Sequence, residues 1–138
     1  MRQVAGRALW LGNAADLRDA RTMLATGVRA VVKLADNEQL ADLPRELVRC
    51  RFPLSDGGDN PPWLLRLAVH SVDTLLRAGV PTLVCCAAGM SRSVCVAAGG
   101  IALAEGRPLA ESLSIVVSSG PADVSPGLWA QLQQALAE

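Results

Sequence analysis

Residues 86–93 combine a nucleophile with groups that can hold an anion. Their sequence is Cys86, Ala87, Ala88, Gly89, Met90, Ser91, Arg92 and Ser93. The small residues between the cysteine and the arginine let several backbone N–H groups turn towards one centre and form an anion-binding nest. Arg92 adds a planar fork of donors that can hold two oxygens of one phosphate. We therefore predict that residues 87–92 bind a tetrahedral oxyanion.

The cysteine is the residue of this stretch that can react with such an anion. The positive field of the loop stabilises the thiolate of Cys86, which is the nucleophilic form of the side chain. A thiolate that faces a bound phosphate can attack its phosphorus atom. Ser93 can donate a hydrogen bond to the sulfur and help it to leave afterwards. Cys86, Arg92 and Ser93 are therefore predicted to be catalytic residues.

A strand before this loop and a helix after it would hold the reactive groups in place. The apolar run that ends at Cys85 predicts a strand over residues 82–85, and the long apolar segment 94–104 predicts a buried helix from about Ser91 to Glu105. The positive N-terminus of that helix would face the anion. Gly99 and Gly100 each cost the helix roughly 1 kcal/mol relative to Ala, and close packing against the sheet would explain them.

The rest of the chain alternates between strand and helix patterns. Further strands are predicted over 7–12, 30–34 and 49–54, and helices over 13–26, 62–78, 108–118 and 126–137, with Asn60 as an N-cap. This order predicts one α/β domain over residues 1–138, with a mainly parallel central sheet of about four to five strands and helices on both faces. Asp36 and Asn37 follow a predicted strand, where ligands can bind, but a solvated turn is the favoured interpretation.

Composition restricts the classes of partner. The 138 residues carry a formal net charge of zero, which argues against bulk electrostatic binding to nucleic acid or to an anionic membrane. The spacing of the chain's four cysteines is typical of neither a zinc site nor a disulfide framework. No signal peptide is recognisable, and the longest apolar segment is too short to span a bilayer. We expect a cytoplasmic protein without metal or cofactor, and with neither nucleic acid nor membrane as a partner.

The motif of Cys86, five residues, Arg92 and Ser93 resembles the signature of the cysteine-dependent protein tyrosine phosphatases. The interior of the motif is most similar to the small dual-specificity branch, and the resemblance covers nearly the whole chain except residues 36–48. Cys85 stands where that family usually has His. Ser118 and Ser119 stand where a basic residue is common, and Ser125 where Asn is common.

The resemblance also implies a general acid. The single His, His70, falls inside a predicted helix, so a carboxylate must protonate the leaving oxygen. Asp56 resembles the family's general-acid aspartate, which lies on a movable loop after a Pro-containing strand. Asp59 is a rival three residues later, but the position of Asp56 directly after a strand would fix its side chain better.

The family resemblance implies a metal-free protein phosphatase. It would hydrolyse phosphotyrosine, with phosphoserine and phosphothreonine as further candidates, through a phosphocysteine intermediate. Alternatives are a phosphatase for a small molecule, a lipid or an RNA end, and a phospho-binding module without turnover; a sulfur transferase is more remote. Cys50 and Cys95 are interpreted as core residues, although Cys50 or Cys85 could rescue an oxidised Cys86.

Overall fold

A computed structural model describes residues 1–35 and 43–137, so Asp36 and Asn37 lie outside the described residues. The strands are β1 (Arg2–Gln3), β2 (Leu9–Gly12), β3 (Ala30–Lys33), β4 (Val48–Arg51) and β5 (Thr82–Cys85). The helices are α1 (Ala14–Leu17), α2 (Ala20–Thr26), α3 (Pro62–Arg77), α4 (Arg92–Glu105), α5 (Leu109–Val117) and α6 (Pro126–Ala137).

The five strands form one sheet in the order β1-β2-β5-β3-β4. β1 is antiparallel to β2, and the other neighbouring pairs are parallel. β5 therefore lies in the middle, with Cys85 level with Gly12 of β2 on one side and with Lys33 of β3 on the other. All four residues of β5 are buried, as expected for a central parallel strand covered on both faces.

Helices cover both faces of this sheet, as the sequence predicted. One core cluster joins Leu17 and Met23, from α1 and α2, to Leu83 and Cys85 of the sheet. The larger cluster lies on the other face, where the sheet packs against α3 and α4, and α5 and α6 pack against these two helices. The single-domain α/β architecture with a mainly parallel sheet is thus confirmed.

The N-terminal part differs from its sequence prediction in two ways. The strand β1 was not predicted, and the helix expected over 13–26 is two helices. Asn13 caps α1 in a capping box with Asp16. The chain then breaks because the Asp19 side chain accepts a hydrogen bond from the N–H of Thr22 and caps a second helix.

The two glycines in the middle of α4 face another helix and not the sheet. A Cβ atom at Gly99 would lie 2.9 Å from Val69 Cγ2, and one at Gly100 would collide with Val72. Both valines belong to α3, so α3 and α4 approach each other at close range. Leu67 of α3 is largely exposed.

Within residues 1–35 and 43–137, no helix combines the length and the apolar character that crossing a membrane requires.

Candidate active site

Residues 86–92, called the phosphate loop below, connect the central strand β5 to α4. Cys86 follows the last residue of β5 and is only 2% exposed. The N–H of Gly89 donates a hydrogen bond to Cys86 Sγ at 3.2 Å. Ser93 Oγ lies 3.4 Å from the same sulfur. The loop therefore curls around the sulfur, which accepts a hydrogen bond from one backbone N–H and lies within hydrogen-bond distance of one hydroxyl.

Three carbonyl groups of the phosphate loop are bonded to other segments of the chain. Their oxygens accept hydrogen bonds: Ala87 O from Ala14 N at 3.2 Å, Gly89 O from Arg2 Nη2 at 3.0 Å, and Met90 O from Asp123 N at 2.9 Å. In a trans peptide the C=O and the N–H point in opposite directions. Each of these carbonyls therefore leaves the N–H of the following residue pointing the other way, which is the arrangement that an anion-binding nest requires.

Gly89 is the one position of this loop that demands glycine. Its φ is 72°, a left-handed conformation that costs side-chain-bearing residues roughly 1–2 kcal/mol. A Cβ atom there would also lie 2.8 Å from the carbonyl oxygen of Gly12. Both the turn of the phosphate loop and its close approach to the end of β2 therefore depend on the missing side chain.

Arg92 begins α4 and lies almost entirely inside the protein, with 8% exposure. Its Nη1 donates a hydrogen bond to the carbonyl of Leu54 at 3.0 Å. This bond orients the guanidinium. Arg92 also lines the pocket above Cys86. The arginine is thus brought next to the predicted nucleophile, and its planar fork can contribute charge and donors to a bound phosphate.

Asp56 lies on residues 55–60, called the Asp56 loop below, and reaches the phosphate loop. Ser91 Oγ donates to Asp56 Oδ1 at 2.6 Å. Ser91 Oγ itself accepts a hydrogen bond from Ser125 N at 2.9 Å. Because that acceptor contact leaves the hydroxyl hydrogen free to turn towards Asp56, the backbone of Ser125 orients the contact. Asp59, the rival, is bonded instead to Ser55 Oγ.

Asn60 does not cap α3 as predicted. The N-cap residue is Pro61, and no side chain caps this helix. The buried amide of Asn60 instead closes the Asp56 loop: its Oδ1 accepts from Ser55 N at 2.8 Å, and its Nδ2 donates to the carbonyls of Ser55 and Gly57. The correction has a simple cause, since a loop with two glycines leaves unpaired backbone groups that this amide satisfies.

The pocket above the sulfur is small, with a volume of about 150 Å³. Its lining residues are Asp56, Cys86, Ala87, Ala88, Met90, Ser91, Arg92 and Asp123. Trp63, near the start of α3, is 58% exposed and is not among these residues. His70 is exposed on α3.

Sequence reasoning missed two residues of this region. Asp123 lies between α5 and α6 and lines the pocket, where it adds a second carboxylate. Arg2 bonds to the phosphate loop from the opposite end of the chain. Asp123 falls between the helices predicted over 108–118 and 126–137, where no motif singles it out. Nothing local marks Arg2, because its contact spans 87 residues of sequence.

The remaining cysteines differ from Cys86 in their surroundings. All four cysteines are free thiols. Burial raises the pKa of Cys85 to about 12, and the nearby Cys86 adds to that shift. Burial likewise raises the pKa of Cys95 to about 12, with Asp56 and Cys86 contributing. Both therefore stay protonated at neutral pH and are poor nucleophiles.

Among the described residues, no group of three or more His, Cys, Asp or Glu side chains could hold a metal ion.

Comparison with family models and with curated proteins gives no significant match. Solved structures, in contrast, are similar over almost the whole chain. Human DUSP28 is 27% identical, with a TM-score of 0.86, over 98% of this chain and 94% of that chain. A mouse dual specificity phosphatase complexed with zinc tungstate is 26% identical, with a TM-score of 0.85, over 97% of this chain and 84% of that one.

A third structure shares the fold at lower identity. The human tyrosine phosphatase-like serine/threonine/tyrosine-interacting protein is 18% identical, with a TM-score of 0.84, over 99% of this chain and 95% of that chain. The fold, the loop motif and these similarities agree: the chain is similar to the small dual-specificity branch of the cysteine-dependent protein tyrosine phosphatase superfamily.

Proposed function

We propose that this protein is a protein phosphatase that hydrolyses phosphotyrosine, and phosphoserine or phosphothreonine, through a phosphocysteine intermediate. The observation that carries the proposal is the placement of Cys86 Sγ inside the phosphate loop, where Gly89 N donates to it at 3.2 Å. Its four free thiols suit the reducing cytoplasm, which is the compartment we propose.

In the first step the loop N–H groups and Arg92 hold the phosphate, and the Cys86 thiolate attacks the phosphorus. The S–P bond forms while the P–O bond to the substrate breaks. The leaving oxygen takes a proton from the carboxyl group of Asp56. The contact from Ser91 to Asp56 Oδ1 leaves the other carboxyl oxygen to carry that proton.

In the second step water attacks the phosphorus of the phosphocysteine. The carboxylate of Asp56 accepts a proton from this water, the new P–O bond forms and the P–S bond breaks. Ser93 Oγ, 3.4 Å from Cys86 Sγ, can donate a hydrogen bond to the departing thiolate. The products are inorganic phosphate and the free enzyme, with Asp56 protonated again for the next cycle.

Charge around the pocket supports a protein substrate with one phosphate. Arg92 is the cationic side chain among the described lining residues, and it belongs to the phosphate loop itself. Asp56 and Asp123 supply two carboxylates to the same lining. Further phosphates, as on a polyphosphorylated lipid head group, would face these carboxylates and be repelled.

A phospho-binding module without turnover is the second candidate. It is favoured by one observation, the fold shared with a protein named as tyrosine phosphatase-like and as an interacting protein. Such a module would use the phosphate loop of this chain but would need neither the nucleophile nor Asp56.

A substrate panel tests the proposal. The purified protein would be assayed in excess EDTA against an aryl phosphate, phosphotyrosine and phosphoserine peptides, a phosphoinositide, and an RNA with a terminal phosphate. We expect turnover of the aryl phosphate and the phosphopeptides and competitive inhibition by vanadate. Activity that requires added Mg²⁺ or Zn²⁺, or a clear preference for the lipid or RNA, would contradict the proposal. Phosphopeptide binding without turnover would support the second candidate.

A further inference from the structure

The N-terminal hairpin brings Arg2 to the phosphate loop. β1 is antiparallel to β2, and Arg2 pairs with Leu11, one residue before β2 ends at Gly12. Gly12 in turn lies level with Cys85, the last residue of β5. The start of β1 therefore reaches the edge of the sheet where the phosphate loop begins. If β1 ran parallel to β2, the last residue of β1 and not its first would lie next to the phosphate loop.

The Arg2 side chain contacts two separate segments. Its Nη2 donates to the carbonyl of Gly89 at 3.0 Å and to the carbonyl of Pro121 at 2.8 Å. Its Nε donates to Ser119 Oγ at 3.2 Å. Burial lowers the pKa of the Arg2 guanidinium, and charge on Cys86 opposes this shift. The guanidinium thus bonds to the loop backbone within electrostatic reach of the nucleophile.

The bond to Gly89 fixes the direction of one peptide group. With the Gly89 carbonyl held outwards, the N–H of Met90 points to the pocket side. A peptide free to turn here could present its carbonyl oxygen to the phosphate, which would replace an attraction by a repulsion. Glycine at position 89 has no Cβ to resist such a turn, so an external bond is needed to hold the productive direction.

We infer that Arg2 is a positioning residue of the phosphate site. Its side chain holds the peptide between Gly89 and Met90 with the N–H directed at bound phosphate, and it ties the loop to the segment between α5 and α6. The inference rests on the proposed function, because it concerns that same site. Phosphate affinity and the reactivity of Cys86 measure it without any need for turnover.

The experiment compares Arg2→Ala and Arg2→Lys with the control Arg7→Ala. Arg7 precedes β2 in the same N-terminal segment, but it pairs on the surface with Glu105 at 2.7 Å. For each protein we would measure the affinity for inorganic phosphate by calorimetry, the pH dependence of iodoacetamide alkylation, and Tm. Modification that persists in Cys86→Ser would be subtracted, so that the alkylation reports on Cys86.

Loss of one charge-assisted bond predicts about tenfold weaker phosphate binding in Arg2→Ala. The alkylation profile should move to higher pH, because a misdirected peptide and a lost charge both destabilise the thiolate. Arg2→Lys should recover part of both effects, since an ammonium keeps the charge and can reach one carbonyl. Arg7→Ala should keep the parent's affinity and profile.

An Arg2→Ala protein that binds phosphate within twofold of the parent and keeps its alkylation profile would overturn the inference. Equal losses in Arg7→Ala would also overturn it, since they would indicate a general effect of the hairpin. If Arg2→Ala does not fold, Arg2→Lys becomes the test. A phosphate affinity and an alkylation profile equal to the parent's in Arg2→Lys would then overturn the inference. A parent that does not bind phosphate would overturn the proposed function as well, which separates the two failures.

Discussion

The phosphate loop and the Asp56 loop face the same pocket, but different kinds of bond hold them. Carbonyl groups of the phosphate loop are bonded to segments from three other parts of the chain, and Cys86 and Arg92 are buried. The Asp56 loop is exposed at Asp56 and Asp59, and the amide of Asn60 closes it from within. Its tip meets the phosphate loop through the Ser91 hydroxyl.

This difference matches the two tasks that we propose. A site that binds a phosphate gains from fixed dipoles, because no reorganisation is needed when the charge arrives. A group that first gives and then takes a proton must serve a leaving group in one step and a water in the next. We therefore expect damage to the backbone of the phosphate loop or to Arg92 to affect binding and rate together, and damage to the Asp56 loop to affect rate alone.

The largest effect should come from the nucleophile itself. Cys86→Ser should lower turnover by at least about 10⁴-fold, since a hydroxyl is a far weaker nucleophile than a thiolate. Phosphate or sulfate binding should survive, because the backbone nest and Arg92 remain. Calorimetry with phosphate and a phosphopeptide assay check the two parts. Residual turnover within tenfold of the parent would contradict a covalent mechanism.

Replacement of the proposed general acid should lower the rate somewhat less than replacement of Cys86. Asp56→Asn should lower the rate on phosphopeptides on the order of 10²–10⁴-fold. The cost should shrink as the leaving group becomes more acidic, because an activated aryl oxygen leaves without a proton. The parent's kcat/KM should be bell-shaped with a maximum at roughly pH 5–6.5, and the variant should lose the alkaline limb. Phosphate affinity should not fall.

Two matched variants sharpen this assignment. Asp59→Asn changes a carboxylate on the same loop, and Asp123→Asn changes the other carboxylate of the pocket lining. Neither should show a loss that depends on the leaving group. If Asp59→Asn or Asp123→Asn shows it and Asp56→Asn does not, the acid has been assigned to the wrong residue.

A change in the backbone of the phosphate loop should weaken the binding of phosphate. Gly89→Ala places a side chain at a φ of 72° and against the Gly12 carbonyl. A cost of roughly 1–3 kcal/mol corresponds to a loss of about 10- to 100-fold in phosphate affinity and in kcat/KM. Gly79→Ala is a suitable control, because Gly79 also has a positive φ but no atom near the added Cβ. Normal phosphate affinity in Gly89→Ala would contradict the described loop geometry.

The smallest effect should follow from opening the Asp56 loop. Asn60→Ala removes the amide that bonds to Ser55 and Gly57. We expect kcat to fall about tenfold and stability by about 1–3 kcal/mol. Phosphate affinity, measured by calorimetry, should stay within twofold of the parent's. A fall in affinity that exceeds the fall in kcat would show that the two loops are not independent.

Local sequence was sufficient wherever local forces decide the structure. The strand Thr82–Cys85 and the start of α4 were predicted within one residue, because an apolar run, a set of small residues and a second apolar run leave few alternatives. Gly27 and Gly106 end their helices with left-handed conformations, as glycines at such positions commonly do.

Contacts between distant segments account for what was missed. The hairpin strand β1 has only two residues, too few for a periodic pattern. Asn60 had a good reason to cap a helix by sequence, and only the folded loop shows that its amide has three closer partners. Asp123 comes near Cys86 because α5 and α6 pack against α4, which depends on tertiary contacts and not on neighbours in sequence.

The glycine contact between α3 and α4 has a consequence for catalysis. α3 begins directly after the Asp56 loop, and α4 begins at Arg92. Val69 and Val72 of α3 pack against Gly99 and Gly100 of α4, so this contact sets the spacing between the proposed proton donor and the phosphate loop. An added methyl group at position 99 or 100 would push α3 and α4 further apart. At the N-terminal ends of both helices, this change would increase the distance between Asp56 and Ser91.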